Sequence, residues 1–111
     1  MSPIVEVTDA TFANEVLSSS LPVMLDLWGD WCEPCKALDP IVGEIARTYA
    51  GKMKVCRMDV ATNPRAASAL HVQSVPTLLF IKSGQVVGQH VGAARARELA
   101  GKIAHHLGLA N

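Results

Sequence analysis

This chain lacks the features that mark several large classes of protein. It has only three cysteines in 111 residues, too few for a scaffold held together by disulfides. Ten basic residues balance ten acidic ones, so no excess of positive charge indicates binding to nucleic acid or to a membrane. No hydrophobic stretch reaches the roughly 18 residues expected of a membrane-spanning helix. Partners should therefore be recognised by shape and apolar contact.

The beginning of the chain has neither the charged nor the apolar region of a secretory signal. A reducing cytoplasm is therefore the expected location, although a processed precursor would have lost such a signal. Half of all residues are hydrophobic, which is enough for one core at this length. No repeat, linker or low-complexity segment divides the sequence. Residues 1–111 are predicted to form a single domain.

What the sequence does contain is one close pair of cysteines. Cys32 and Cys35 are two residues apart, a spacing that suits a reversible disulfide or a shared metal ion. A mostly apolar run of strand length, residues 21–28, comes before them. Apolar residues at helical spacing follow from 38 to 49. Cys32 is therefore predicted at the junction between a strand and a helix.

This junction favours a reactive thiolate at Cys32. The unpaired N–H groups and the positive end of the helix dipole both stabilise negative charge there. Pro34 suits the first helical turn, where its missing N–H is not needed. Cys32 is the predicted nucleophile, and Cys35, one turn further on, is the predicted resolving thiol.

A zinc site is disfavoured by the rest of the sequence. Cys56, the third cysteine, lacks the second close pair that structural zinc sites usually show. It is predicted to be a small buried apolar residue. The four histidines are scattered and are predicted to be solvated. No metal is expected to bind.

The chain resembles the thioredoxin family over essentially its whole length. Several separate motifs in the right order carry this resemblance, and together they are far more specific than one cysteine pair. In chain order they are Asp26 as the family's buried acid, Trp28, Trp31, Cys32, Pro34, Cys35 and Lys36 as its active-site motif, Pro40 as the proline that kinks its second helix, Val75-Pro76-Thr77 as its cis-proline loop, and Val91-Gly92-Ala93 as its last substrate-facing turn.

The pattern of elements agrees with an α/β fold in which a mixed sheet has helices on both faces. Asp9 is predicted to cap a short helix whose inner face includes Phe12 and Val16. Asn63 is predicted to cap a helix that begins at Pro64. The resemblance implies the thioredoxin fold, a five-stranded sheet in the order 1-3-2-4-5 flanked by four helices. It also implies that the last two strands run antiparallel to the others.

The resemblance implies an enzyme, a thioredoxin-type oxidoreductase that reduces protein disulfides. Cys32 would attack the substrate, Cys35 would resolve the mixed disulfide, and Asp26 would exchange a proton with Cys35. No cofactor is expected to bind, since the electrons would come from NADPH through a flavin-containing thioredoxin reductase. The other expected partners are disulfide-containing proteins, and the chain is expected to be a monomer.

The remaining site residues follow from the same motifs. Trp31 is expected on the surface beside Cys32, and Trp28 is expected to pack beneath the helix. An X-Pro bond is usually trans, but the resemblance implies a cis bond before Pro76. The backbone of Val75 would then pair with an extended substrate segment. A flat surface at Gly92 and Ala93 would complete the groove.

Two residues depart from the family's pattern. Glu33 replaces a glycine, and it would either raise the pKa of Cys32 or help to select partners. Arg57 replaces a common lysine, and it is either a fixed positive partner for Asp26 or a strand residue whose head group reaches solvent. Asp26 itself is interpreted as a buried acid on a central strand, and the alternatives are an edge-strand acid that points at solvent or a structural partner for Arg57.

The sequence does not exclude two other functions. A disulfide oxidase or isomerase shares the fold but would need a more oxidising centre. A redox-independent partner-binding module would use only the groove, although such chains often lose one cysteine and this one has both.

Overall fold

The computed structural model describes residues 3–110, which form one sheet with helical segments on both faces. The strands lie in the order β1-β3-β2-β4-β5, which confirms the predicted thioredoxin fold. The elements are β1 (Ile4–Glu6), a π-helical segment (Ala13–Leu17), β2 (Val23–Trp28), α1 (Glu33–Thr48), β3 (Lys54–Asp59), α2 (Pro64–Ala69), β4 (Thr77–Lys82), β5 (Gln85–Val91) and α3 (Ala96–Leu107).

The strand directions differ in one respect from the prediction. β1, β3 and β2 are mutually parallel, and β4 is antiparallel to β2. β5 is antiparallel to β4 and so runs in the same direction as the first three strands. The prediction was therefore wrong for β5, because a tight hairpin reverses the chain a second time. Ser83 and Gly84 form that hairpin, both with positive φ, as a two-residue turn between strands prefers.

Strand β2 lies at the centre of the sheet and is covered on both faces. Its first five residues are buried, which explains their nearly continuous apolar sequence. Asp26 is the one charged residue in that run. This position confirms the prediction of a central strand and excludes the solvent-facing alternative.

The core consists of two apolar clusters. In one, Met24, Leu78 and Phe80 of the sheet pack against α1 and α3. In the other, Leu25, Leu79 and further strand residues pack with the π-helical segment and α2. Adjacent strand residues fall in different clusters because successive side chains point to opposite faces of a sheet.

The role predicted for Asp9 is wrong. The N-cap of the π-helical segment is Phe12, which makes no side-chain cap bond, although Val16 is buried and Phe12 packs against the core as predicted. Asp9 instead accepts hydrogen bonds from the backbone N–H groups of Arg65 (3.2 Å) and Ala66 (2.8 Å), at the start of α2.

Asn63 occupies the predicted cap position of α2 but does not bond to that helix. Its side chain accepts from the Asp9 N–H (2.8 Å) and donates to the Asp59 carbonyl (3.0 Å). The cap of α2 is thus supplied by a residue distant in sequence, which local pattern could not reveal.

Candidate active site

Cys32 and Cys35 form a disulfide at the beginning of α1. Cys32 has extended backbone geometry and precedes the first helical residue, and its Sγ accepts a hydrogen bond from the Cys35 N–H at 3.1 Å. Pro34 lies in the first turn, as predicted. Both cysteines are largely buried, with Cys32 6% and Cys35 3% exposed. The predicted junction of strand and helix is confirmed, and so is the pairing of the two thiols.

Asp26 lies in the interior, on the strand that precedes the cysteine pair in the chain. It is only 2% exposed, and its Oδ1 has no hydrogen-bond partner among residues 3–110. Burial raises the pKa of the carboxyl to about 7. The charge of Arg57 opposes this rise, while Asp39 and Glu6 add to it. A carboxyl group with such a pKa takes up and releases protons near neutral pH.

Arg57 faces Asp26 across the β2–β3 pair, but its guanidinium bonds elsewhere. It forms ion pairs with Glu6 (3.4 Å) and Asp39 (3.7 Å). It also lies over the ring of Trp28, 4.3 Å from the centroid. Neither sequence alternative was right in full, since Arg57 acts on Asp26 through its charge while its head group is held by two exposed acids.

The two tryptophans have different environments, as predicted. Trp31 is 63% exposed, and Trp28 is half-buried with an indole N–H that no described residue accepts. Gly29, which no sequence motif singled out, lies directly under the exposed ring of Trp31. A Cβ at this position would lie 2.5 Å from the Trp31 ring, so glycine lets the indole fold back over the chain.

An open groove begins at Trp31 and continues along the loop before β4. The Val75–Pro76 peptide bond in this loop is cis, as the resemblance implied. The sequence motifs identified Trp31 and Val75, but no motif identified the other residues that line the groove. The groove is lined by Trp31, Val60, Ala67, Val72, Gln73, Ser74 and Val75.

The turn at Gly92 and Ala93 lies beside this loop. The Gly92 N–H donates to the Pro76 carbonyl at 2.9 Å, which ties the two segments together. Gly92 has a φ of +94°, a conformation that favours glycine. On its other side, Ala93 shares a surface depression with Pro34 of α1. The structure therefore brings together predicted residues from three separate parts of the chain, around Cys32, Pro76 and Gly92.

Charged residues at the start of α1 are in solvent. The side chain of Glu33 is 83% exposed and pairs with Lys36 at 3.3 Å. Exposure of this degree screens the effect of the carboxylate on Cys32.

The remaining thiol and the histidines lie outside this site. Cys56 is fully buried as predicted, and burial raises the pKa of its thiol to about 11, so it remains protonated. The prediction of solvated histidines is wrong for His90, which is buried against α3. Within residues 3–110, no group of three or more His, Cys, Asp or Glu side chains is placed to hold a metal. None of the described helices is long and apolar enough to cross a membrane.

Comparison with known proteins gives a consistent result. The sequence profile of the thioredoxin family matches residues 3–105. The chain is 44% identical to thioredoxin 1 of Nostoc sp. over 107 residues, 96% of this chain and 100% of that protein. It is 42% identical to thioredoxin of Haemophilus influenzae with the same coverage. It is 47% identical to thioredoxin of Mycobacterium bovis over 103 residues, 89% of each chain.

Identity at this level over nearly the full length of both proteins means common descent of the whole fold. This chain belongs to the thioredoxin family and is a thiol–disulfide oxidoreductase.

Proposed function

We propose that the chain reduces disulfide bonds of other proteins with Cys32 as the nucleophile and Cys35 as the resolving thiol. The observation that carries this proposal is the Cys32–Cys35 disulfide at the N-terminus of α1, beside an open groove. The helix N-terminus stabilises the Cys32 thiolate in the reduced protein. Cys35 lies inside the first turn of α1, whereas Cys32 lies at its N-cap, so Cys35 is assigned the second step.

The reaction is two successive exchanges of sulfur partners. The Cys32 thiolate attacks one sulfur of the substrate disulfide, which breaks and releases the other sulfur as a thiolate. The Cys35 thiolate then attacks Cys32 Sγ, which breaks the mixed disulfide and frees the second substrate thiolate. Two electrons pass from this chain to the substrate. The two released thiolates take up protons, and the Cys32–Cys35 disulfide remains.

Asp26 is the proposed proton acceptor for Cys35 in the second step. Its pKa of about 7 suits this exchange near neutral pH. Its Oδ1 accepts no hydrogen bond from the described residues, and the proposed proton transfer from the sulfur would pass through water.

Partner proteins are proposed to bind across the groove. An extended segment would pair with the backbone of Val75, beside Pro76, and contact the exposed ring of Trp31. Gly92 and Ala93 would form the opposite side of the groove. Pro34 and Glu33 would lie at the rim, where Glu33 is placed to select partners. Trp28, Lys36 and Arg57 would support the site without touching the substrate.

Regeneration requires an external donor. We propose a flavin-containing thioredoxin reductase that draws electrons from NADPH, with no cofactor held by this chain. We also propose a cytoplasmic location and a monomer in which residues 1–111 act as one domain.

The first experiment is the redox potential of the Cys32–Cys35 pair, measured by equilibration with a reference dithiol and alkylation of free thiols. A value near the roughly −270 mV of thioredoxin, or lower, supports a disulfide reductase. A value near the −180 mV or so of protein disulfide isomerase overturns the proposal in favour of an oxidase or isomerase.

A second experiment tests the binding-module alternative. A Cys32→Ser, Cys35→Ser variant retains the fold and the groove but cannot exchange disulfides. We expect it to fail in a complementation test in cells that lack their own thioredoxins. Full complementation by this variant would show that the cellular role is redox-independent binding.

A further inference from the structure

His90 links α3 to the proposed substrate-facing turn. It lies near the end of β5 and is 8% exposed. Its Nε2 is 2.8 Å from the carbonyl oxygen of Ala93, and its Nδ1 is 2.9 Å from Nζ of Lys102 on α3. A buried ring with both nitrogens engaged connects the helix to the backbone of the turn.

The two contacts determine which nitrogen carries the proton. A carbonyl oxygen only accepts, so Nε2 must be the N–H donor to Ala93. Nδ1 then has a free lone pair, which accepts from the Lys102 ammonium group. Lys102 also donates to the carbonyl of Gln89 at 3.3 Å, which holds the ammonium group in place. The other charged group facing the ring is Glu98 of α3, whose Oε2 is 3.9 Å from Nδ1.

Two hydrogen bonds hold the backbone of the turn, and the His90 side chain makes one of them. The Gly92 N–H is bonded to the carbonyl of Pro76 in the cis-proline loop. The Ala93 carbonyl is bonded to the ring of His90 in β5. Gly92 itself is conformationally permissive, with φ +94°. Since glycine does not hold its own conformation, these two bonds define the position of the turn.

We propose that His90, with its tautomer set by the Ala93 carbonyl and by Lys102, is a positioning residue for partner binding. It holds the Ala93 carbonyl so that the turn keeps the shape of the groove wall. This inference rests on the proposed role of the Gly92–Ala93 turn in binding disulfide proteins. His90 touches no reacting atom, so its loss weakens substrate binding and leaves the exchange chemistry of the cysteines unchanged.

The experiment compares His90→Leu with His90→Gln. Leucine removes both ring nitrogens at similar volume, whereas the glutamine amide nitrogen reaches the position of Nε2 and restores the donor to Ala93. His105→Leu is the matched control, because His105 is an exposed histidine of α3 with no recorded bond to the turn. Each variant is assayed for reduction of insulin, for reduction of a small aromatic disulfide, and for redox potential.

We expect His90→Leu to raise KM for insulin between about twofold and tenfold, the effect of losing one hydrogen bond. Its kcat, its redox potential and its rate with the small disulfide should match those of the wild type. His90→Gln should restore KM, and His105→Leu should leave it unchanged. Lys102→Met should raise KM in part, because the ring is then free to change tautomer.

Three results would overturn the inference. They are an unchanged KM in His90→Leu, a parallel loss of activity toward the small disulfide, and failure of glutamine to restore binding. Nitrogen NMR of the His90 ring in the wild type tests the inference without any variant. A proton on Nδ1 instead of Nε2 would reject the inference as well. Lack of disulfide reductase activity in the wild type would instead reject the proposed function, and the tautomer measurement would still decide the role of His90 in the turn.

Discussion

Asp26 is an acidic residue in a buried environment, whereas acidic residues ordinarily lie in water. A carboxyl group at the centre of a sheet, covered on both faces, carries a desolvation penalty in its charged form. The sequence indicated this because one acid interrupts an apolar strand. The penalty has a consequence for stability, since the native state holds the proton of Asp26 more tightly than the unfolded chain does.

We predict that Asp26 makes the protein less stable as pH rises. Its pKa is about 7 in the folded state against 3.8 for the free group, so the native state binds more protons between these values. Stability therefore falls as pH rises from about 4 to 7 and levels off above, by about 4 kcal/mol in total. Relative to the wild type, Asp26→Asn should gain most above pH 7 and least near pH 4. Urea unfolding of the oxidised proteins across this range measures the difference.

The exposed Asp30→Asn is the control for this prediction, and its difference from the wild type should not follow the same curve. A constant difference between Asp26→Asn and the wild type across the range would contradict the raised pKa.

Two neighbours of Asp26 should shift its pKa in opposite directions. Arg57 lowers it and Asp39 raises it. Arg57→Met should therefore raise the pKa of Asp26, and Asp39→Asn should lower it. Carbon NMR of the Asp26 carboxyl during a pH titration measures both. The exposed Arg47→Met is the matched control, and shifts of the same sign in the first two variants would reject this electrostatic assignment.

Glu33 should affect recognition more than redox potential. Its carboxylate is 83% exposed and already paired with Lys36, so its effect on Cys32 is that of a surface charge, at most about 1 kcal/mol. This corresponds to a change of no more than about 20 mV in Glu33→Gly. We expect a larger relative change in kcat/KM with protein substrates. A shift well beyond that limit, with unchanged kcat/KM, would assign Glu33 to tuning the potential.

At the scale of elements, α2 shows how a short helix depends on a distant residue. Six residues are too few for a helix to be stable by itself in water. Asp9 accepts from two of its free N–H groups and connects it to the loop after β1. Asn63, at the local cap position, supports Asp9 instead.

We predict that Asp9→Ala lowers the free energy of unfolding by about 1–2 kcal/mol, the upper part of the range for a lost helix cap. Asp9→Asn keeps an acceptor oxygen and should lose clearly less. Urea denaturation gives the stabilities, and hydrogen exchange should show faster exchange at Arg65 and Ala66 in Asp9→Ala. Equal losses in the two variants would mean that charge, and not the hydrogen bonds, is what Asp9 contributes.

At the scale of the whole molecule, one sheet separates two apolar clusters. Ile103 of α3 belongs to one cluster and Ile81 of β4 to the other. Side chains on opposite faces of the sheet are separated by its backbone, so they share few contacts. The two halves of the core should therefore respond independently to small cavities.

We predict that Ile103→Val and Ile81→Val each cost about 0.5–1.5 kcal/mol. In the double variant the losses should add to within about 0.5 kcal/mol, as they do for distant sites. Denaturant unfolding of the four proteins completes the cycle. As a comparison within one cluster, Ile103→Val combined with Leu99→Val pairs two residues of α3, and coupling there is expected. Strong coupling across the sheet would show that the two clusters behave as one.

The sequence by itself determined the elements, their order and the cysteine chemistry. Apolar periodicity, the cysteine spacing and Pro34 are local signals, and they placed Cys32 and Cys35 at the start of a helix. The spaced motifs then identified the fold, and the apolar run around Asp26 indicated a buried strand. These features depend on residues that are close together in the chain.

The tertiary structure alone decided which distant residues meet. It assigned Asp9 to the cap of α2, bound Arg57 to Glu6 and Asp39, and buried His90 against α3. Long polar side chains have many rotamers and several partners within reach, so the choice depends on how the elements pack. Local sequence constrains backbone conformation, whereas the partner of a polar group is determined only when the whole fold brings the two together.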